Sequence, residues 1–526
     1  MGNSWTPTRG YYPGDWVRPR ANSGNWKPFI DQTEVFPGHR STDRQGAFEL
    51  YDAPVGIRVA IEEAQKSAPL KFDGEVENLG NAVRVWQAEE HYHLLYYQAG
   101  RVAYAQSEDG ERWTRPALGL IEHQGSRENN LVTEVGGDLL KAVFEDPSAP
   151  EHERFKGMGC EGAMINSATG QIANEGEAVD DEEIQRWWAE QEYLGPAFAG
   201  PKLVLQGQVI GWTSPDRVHW TRSEQILADF PMDGGLSVHY DQRSGYYYAY
   251  CRVQGVAQEQ FDLIGSGAPE AEIFHRAIGF TRTRDFNKWP APKLVLFPDG
   301  QDDPDISFYG ADYFPYPGGD DLHCMLVQVY HHATDHIDSQ IAFSRDGLLW
   351  QRPERKAIIP VGNPGAADAA MVYSWGSGIV ELPDGVWGSL YSGFTSLHNE
   401  RAGDNDHSCT LQWAQWHPHR FCGVEAEAEG RITIPTVKRT ADQLRLNYRC
   451  KPGGWIKVEI LYSIPSRIHP DVDPIAGLSF AESDPLTGDA VDQVVTWKGK
   501  SDISAAGEML AIRLRIFRAK LFAYQV

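Results

Sequence analysis

Four aspartates stand just ahead of runs of apolar and aromatic residues that are typical of β-strands: Asp233, Asp303, Asp305 and Asp368. If each following run is the innermost strand of a repeated sheet unit, the four carboxylates converge on one funnel. Two converging carboxyl groups can cleave a glycosidic bond, because one protonates the leaving oxygen while the other attacks the anomeric carbon or activates water. We therefore predict acid, base or nucleophile roles for these aspartates. The alternative is that each one only caps a turn.

A second set of residues has side chains suited to holding the hydroxyl groups of a sugar. Most of its members lie between Tyr309 and Asp335 or in a later polar loop that contains His398 and Glu400, and one is a carboxylate near the N-terminus, Asp31. The same side chains could instead hold a metal, or supply the Tyr/His base of a lyase. Hydrogen bonding to a polyol is the preferred interpretation, and no metal or cofactor is predicted. The predicted substrate-binding residues are Asp31, Tyr309, Tyr330, His331, His332, Asp335, His398 and Glu400.

A seven-residue phrase that can position such side chains recurs along the chain. The pattern Ser/Thr-x-Asp-x-x-x-Trp occurs at 107–113, 214–220, 283–289 and 344–350, each time after strand-like runs. Short Asp and Ser side chains fix tight turns by bonding nearby amides, and the Trp is a large apolar anchor. Hairpins that repeat with such an Asp-box-like turn are typical of propeller blades. A sandwich of repeated hairpins is the alternative.

The predicted fold is all-β: a five-bladed β-propeller followed by a C-terminal β-sandwich. The expected domains are an N-terminal arm over 1–45, the catalytic propeller over 46–420 and the sandwich over 421–526. Residues 57–61 and 82–86 are predicted to build the first blade. The acidic stretch 177–194 is predicted to be a helix inserted into the propeller, because acidic first turns suit a helix N-terminus.

The composition limits the classes of partner. The formal net charge of −25 argues against nucleic acid and anionic membranes, since both would repel the protein. The 17 Trp, 22 Tyr and 21 Phe residues offer surfaces on which sugar rings stack. A carbohydrate is therefore the expected partner, and a homo-oligomer is compatible with the sequence. The first residues contain no basic start followed by an apolar run, so no signal peptide is predicted and a cytoplasmic location is expected.

Several stretches resemble a known group of proteins. Among them are SPDRVHWT, DISFYGADYFPYPG and IAFSRDGLLWQRP. They resemble glycosyl-hydrolase-like β-propeller proteins distantly related to glycoside hydrolase family 32, the fructosidase and invertase group, and to other five-bladed furanosidases. The resemblance covers nearly the whole chain and implies a glycoside-cleaving propeller. The invertase signature W-M-N-D-P-N-G is absent, so the implied catalytic set is the chain's own.

Together these patterns predict a glycoside hydrolase that acts exo-fashion on a small glycoside or oligosaccharide, with a furanoside as one candidate. Two alternatives stay open. One is a polysaccharide lyase that uses the Tyr-His-His stretch, and the other is a sugar-binding propeller without catalysis.

Overall fold

The structure is a computed structural model that describes residues 23–42, 48–76, 78–133, 140–166, 203–228, 233–254, 276–319, 322–375, 378–400, 409–462 and 473–526. The predicted helix at 177–194 lies outside these residues. Among those described, regular structure is β-strand apart from three short 3₁₀ turns at Glu151–Glu153, Pro383–Gly385 and Ser504–Ala506. No helix in the described ranges is long and apolar enough to cross a membrane. The expectation of an all-β protein is therefore confirmed for this part of the chain.

The strands are numbered in chain order. Those before residue 300 are β1 Lys27–Pro28, β2 His39–Thr42, β3 Phe48–Tyr51, β4 Arg58–Ile61, β5 Gln65–Lys66, β6 Lys71–Phe72, β7 Leu79–Ala88, β8 His91–Gln98, β9 Arg101–Ser107, β10 Arg112–Trp113, β11 Ala142–Glu145, β12 Phe155–Asn166, β13 Leu203–Ser214, β14 Thr221–Ala228, β15 Asp233–Asp241, β16 Tyr246–Gln254, β17 Arg276–Thr283 and β18 Lys293–Leu296. The later strands are β19 Ile306–Pro315, β20 His323–His331, β21 His336–Ser344, β22 Met371–Tyr373, β23 Val380–Glu381, β24 Trp387–Phe394, β25 Cys409–Trp416, β26 Cys422–Lys438, β27 Arg445–Leu461, β28 Asp489–Val494 and β29 Met509–Gln525.

The chain divides into two compact units. The large unit comprises Gln65–Pro315 and His323–Gln415, and the small unit comprises Met1–Ala64, Tyr316–Leu322 and Trp416–Val526. In the large unit, β7-β8-β9, β11-β12-β13-β14 and β15-β16-β17-β18 form separate antiparallel sheets. A further sheet has the order β19-β20-β21-β22-β24-β25-β5, and its two halves join only where Ile337 of β21 pairs with Met371 of β22.

Apolar clusters lie between successive sheets of the large unit. One joins the β7–β9 sheet to the β11–β14 sheet, and others follow between each later neighbouring group. A last cluster, with Leu94, Leu411 and Trp413, joins the β24-β25 group back to the β7–β9 sheet. The amide of Ala82 in β7 also donates to Oγ of Ser392 in β24 at 3.2 Å. The order of the packed sheets therefore returns to its starting point.

The four repeated turns share one hydrogen-bond pattern. In the copy at 344–350, Asp346 Oδ1 accepts the amides of Leu348 and Leu349 at 2.8 Å each, and Ser344 Oγ accepts the amide of Gly347 at 2.9 Å. The Trp350 indole donates to the Gly347 carbonyl at 3.2 Å. The copies at 107–113 and 214–220 repeat these bonds, and the copy at 283–289 keeps the amide-to-Asp and Trp-to-carbonyl bonds. The turn geometry expected from the phrase is present in each copy.

The small unit is built on one antiparallel sheet with the order β28-β27-β29-β26-β4, to which β1 adds by pairing with β29. Its alternating strands bury a continuous apolar core that includes Ile456, Val458 and Ile512. Here one expectation is wrong. Residues 57–61 do not build a first blade, because β4 pairs with β26 of this sheet. A short alternating strand carries no information about which sheet completes its hydrogen bonds.

Candidate functional site

The turn between β20 and β21 organises a polar cluster in the large unit. Asp335 lies in this turn with a positive φ of 60°, a conformation that Asp and Asn tolerate better than most residues. Its Oδ1 accepts the Tyr330 hydroxyl at 2.7 Å and the Asn399 side-chain amide at 2.6 Å. Its Oδ2 accepts the Asn399 backbone amide at 2.7 Å. Asp335 therefore ties the loop at 397–400 to the turn and fixes the Tyr330 hydroxyl.

Tyr309 and His398 form the centre of the cluster. Tyr309 lies at a β-bulge in β19, a feature that re-aims side chains next to functional sites. Its hydroxyl is 2.9 Å from His398 Nε2, and its ring stacks on Tyr373 at a centroid distance of 5.7 Å. The guanidinium of Arg252 covers the Tyr309 ring at 4.3 Å, and that of Arg276 lies 5.2 Å from it. Two cations thus flank a Tyr–His pair.

The protonation states follow from burial and from these neighbours. Burial, with the positive charge of Arg276, lowers the pKa of His398, so its imidazole is neutral at neutral pH. Burial and the hydrogen bond to Asp335 raise the pKa of Tyr330 to about 12, so this phenol keeps its proton. The cluster can therefore accept a proton at His398 and present neutral hydroxyls to a polar ligand.

Two of the predicted catalytic aspartates, Asp303 and Asp305, lie just before β19. Asp303 is exposed. Asp305 is half-buried, and its Oδ2 accepts the amide of Ala333 at 3.1 Å while its carbonyl accepts the amide of His332 at 2.8 Å. His332 Nε2 lies 3.0 Å from Ser307 Oγ, and its ring contacts Tyr330 at 4.5 Å. The structure thus brings Asp305 and His332 to the Tyr330 side of the turn.

Asp368, also a predicted catalytic residue, is buried in an ion pair. Its Oδ2 accepts Nζ of Lys66 at 2.6 Å and the Tyr391 hydroxyl at 2.8 Å. The carboxylate is only 5% exposed. Burial and this carboxylate raise the pKa of Tyr391 well above its usual value. These contacts give Asp368 a structural role as the partner of Lys66 and Tyr391.

The remaining predicted residues lie apart from the cluster or are only partly described. The side chain of Asp233 lies outside the described residues, but its backbone starts β15 in register with Arg252. Asp31 belongs to the small unit, where its Oδ1 accepts the Thr33 amide at 2.7 Å. Glu400 caps its own loop by accepting the Leu397 amide at 2.7 Å. His331 faces Asp338 and not Tyr330.

Four residues of the cluster were not among the predicted binding residues: Arg252, Arg276, Tyr373 and Asn399. The two arginines lie on β16 and β17, so no local pattern connects them with Tyr309. Asn399 follows His398 directly, and this adjacency was the one available signal. Tyr373 closes the apolar run of β22 and looks like an ordinary core residue in the sequence.

Comparisons with known proteins give structural likenesses only. No protein-family description matches the sequence, and no curated protein matches it significantly. The solved structures to which the chain is similar include a thermostable family-43 glycoside hydrolase, with 13% identity, a TM-score of 0.42 and coverage of 66% of this chain and 92% of that one. They also include a family-32 β-fructofuranosidase from Bombyx mori, with 9% identity, a TM-score of 0.36 and coverage of 88% and 94%. Sucrose-6-phosphate hydrolase from Lactobacillus gasseri shares 10% identity, with a TM-score of 0.36 and coverage of 86% and 93%. At these scores the likenesses decide neither fold nor function, which rest on the geometry of the chain itself.

Proposed function

We propose that the large unit is a five-bladed β-propeller. Its blades are β7–β9, β11–β14, β15–β18, β19–β21 and the group β22-β24-β25-β5. Two features support a closed ring of blades. An apolar cluster packs the last group against the first sheet. In addition, β5, which precedes the first blade in the chain, pairs with β25 and so completes the last blade. The single pairing between Ile337 and Met371 then marks a boundary between blades. The proposed propeller therefore spans Gln65–Pro315 and His323–Gln415 and not the whole of the expected 46–420, because residues 58–61 pair with β26 of the small unit, which we propose as the sandwich.

We propose that this propeller is a glycoside hydrolase whose substrate binds at the Tyr309–His398 cluster. One observation carries the proposal: a neutral imidazole and hydroxyls fixed by hydrogen bonds lie beside the Asp305 carboxylate, and the backbone of Asp233 starts strand β15, which packs against β19. The fixed polar groups suit the hydroxyls of a sugar. A small glycoside cleaved exo-fashion, furanoside or pyranoside, is the proposed substrate class.

Within this proposal, Asp233 and Asp305 supply the acid and the base or nucleophile, with Asp303 as the third carboxylate. Asp305 immediately precedes the strand that carries Tyr309, and Asp233 starts β15 in register with Arg252, which covers Tyr309. Tyr330, His332 and His398 orient the sugar hydroxyls, and Asp335 positions Tyr330 through its hydrogen bond. We assign Asp368 no proton transfer, because Lys66 and Tyr391 occupy its carboxylate.

The test is a screen of aryl furanosides and pyranosides with the wild type and the Asp233→Asn and Asp305→Asn variants. We expect aryl alcohol release by the wild type and a loss of at least about 100-fold in kcat for each variant, because general acid–base catalysis contributes about 10²–10⁴-fold. The matched control is Asp384→Asn, on an exposed turn with a positive φ of 66° that Asn tolerates. Unchanged rates in both site variants, at unchanged melting temperature, would reject the assignment.

A second candidate, a lyase acting on a uronate, is favoured by Arg252 and Arg276. Two guanidinium groups can neutralise a carboxylate on the sugar. The Tyr309–His398 pair can then remove the proton from the neighbouring carbon and return it to the leaving glycosidic oxygen, so that the carbon–oxygen bond breaks and a carbon–carbon double bond forms. This candidate predicts no aryl alcohol release but an unsaturated, ultraviolet-absorbing product from uronate polymers, lost in His398→Gln. Sugar binding without any product would support the non-catalytic propeller.

A further inference from the structure

The β20–β21 hairpin places three potential metal ligands on one face. His331 and His336 are the last directly paired residues before the four-residue turn. Asp338 follows His336 by two positions, and side chains at i and i+2 of a strand point to the same face. His331, Asp338 and His336 therefore share a face, whereas the neighbouring His332 turns toward Ser307 and Tyr330.

The distances within this triad are close to those that a bound ion requires. His331 Nε2 lies 3.1 Å and His336 Nε2 lies 3.9 Å from Asp338 Oδ2. One ligand atom from each of the three residues lies within 4.8 Å of the others. Tetrahedral ligands with bonds of about 2.0–2.1 Å to zinc are about 3.3 Å apart. Small side-chain rotations would thus bring the three ligand atoms to bonding distance from one ion.

The triad carries an unpartnered carboxylate oxygen, is reached by solvent and is oriented by a neighbouring hydrogen bond. Asp338 Oδ1 is buried and has no hydrogen-bond partner. The three side chains are between 14% and 26% exposed, so solvent reaches the triad. Thr334 Oγ1 is hydrogen-bonded to Nδ1 of His336, which leaves Nε2 for the triad, as outer hydrogen bonds do in metal sites.

The electrostatic arrangement also fits a site for a cation. The two imidazole rings stack at 4.1 Å, so protons on both rings would repel each other. The Asp338 carboxylate lies beside both rings and favours a cation there.

We propose that His331, His336 and Asp338 bind a divalent first-row transition ion of the Zn²⁺ type. Two imidazoles and one carboxylate suit such an ion, whereas Ca²⁺ and Mg²⁺ prefer oxygen ligands alone. Three protein ligands leave one position open, which water or a ligand oxygen can fill. The proposal does not rest on the glycosidase assignment, and it replaces the sugar-binding role predicted for His331.

The test titrates the chelator-treated full-length protein with Zn²⁺ by calorimetry and with Co²⁺ by visible absorption. We expect one ion per chain and a Co²⁺ spectrum of four- or five-coordinate type. In Asp338→Asn and in His336→Gln the affinity for the ion should fall at least about tenfold. Loss of an outer-shell partner of a metal ligand already costs about 10–100-fold, and loss of a direct ligand should cost at least as much. Two variants are used so that misfolding of one leaves the other informative.

The matched control is His152→Gln, which removes an exposed histidine from the turn at Glu151–Glu153. Its affinity and spectrum should equal those of the wild type. The proposal is overturned if the wild type takes up no stoichiometric ion, or if the site variants and the control bind equally well. Because no substrate is present, either result leaves the hydrolase assay to be judged by itself.

Discussion

At the scale of single residues, the buried Asp368 charge depends on Lys66, from which 302 residues separate it. Removing one partner of a buried pair leaves an uncompensated charge, which costs about 3–5 kcal/mol when both groups are fully buried. Lys66 is 22% exposed, so we expect Lys66→Met to lower the free energy of unfolding by about 2–4 kcal/mol at pH 7. Urea denaturation measures this change.

Lys71→Met, an exposed lysine on β6, is the control and should change stability by less than about 0.5 kcal/mol. Equal losses of stability in Lys66→Met and Lys71→Met would contradict the buried-pair account.

This residue also shows what the sequence could not reveal. Asp368 does lie ahead of a strand, as the sequence predicts. Its ion pair with Lys66 could not be predicted, because it depends on the long-range pairing of β5 with β25. Arg252 and Arg276 escaped prediction for a related reason. Their relation to Tyr309 depends on the packing of β16 and β17 against β19. By contrast, Tyr309, Tyr330, Asp335 and His398 were predicted from polar residues near strand ends, and the structure brings them together.

At the scale of elements, three of the four repeated turns hold a residue in the left-handed conformation that favours glycine: Gly110, Arg217 and Gly347. Gly347 has a φ of 73°, and a Cβ there would lie 2.9 Å from the Tyr250 hydroxyl, which itself donates to the Gly347 carbonyl at 2.8 Å. We expect Gly347→Ala to cost about 2–3 kcal/mol, of which about 1–2 is left-handed strain and the rest is displacement of Tyr250. Thermal and urea denaturation of the variant would measure it.

Gly245 offers a matched comparison for that prediction. Its φ is 68°, but a Cβ there would meet no atom within 4 Å. Gly245→Ala should therefore show the strain alone, about 1–2 kcal/mol. Equal losses in the two variants would mean that Tyr250 adjusts freely, and the turn would then be fixed by its own hydrogen bonds.

The elements were the most predictable part of the chain. The Ser/Thr-x-Asp-x-x-x-Trp phrase encodes its own hydrogen bonds, so its geometry follows from seven residues in each copy. Strand partners are not local in this sense. Residues 57–61 were recognised as a strand, yet β4 joins the sheet of the small unit because β26 offers the matching edge.

At the scale of the whole molecule, two partly buried histidines should make the protein sensitive to acid. Burial lowers the pKa of His239 in the large unit and of His419 in the small unit to about 4, and the charge of Arg84 contributes at His239. An unfolded histidine titrates near about 6.5, so below that pH the unfolded chain binds the proton first. Stability should fall as the pH drops from about 6.5 to 4, by about 2 kcal/mol per histidine between pH 7 and 5.

Urea denaturation at pH 7 and pH 5 tests this for each unit. His239→Gln and His419→Gln change the stability at pH 7 through lost packing, so the informative quantity is the difference between the two pH values. That difference should decrease by about 2 kcal/mol in each variant. An unchanged pH dependence would show that the acid sensitivity has another origin.

The short β5 strand also has a consequence for the order of events during synthesis. Gln65 and Lys66 complete the last sheet group of the large unit by pairing with Gln415 and Ala414. On a ribosome, the earlier strand emerges about 350 residues before its partner, a delay of roughly 20–70 s at about 5–20 residues per second. During that interval the exposed edge at Gln65–Lys66 has no native partner. Nascent chains stalled before residue 409 should therefore be cleaved readily by protease near residue 66, and chains extended beyond the ribosome exit past residue 416 should become resistant there.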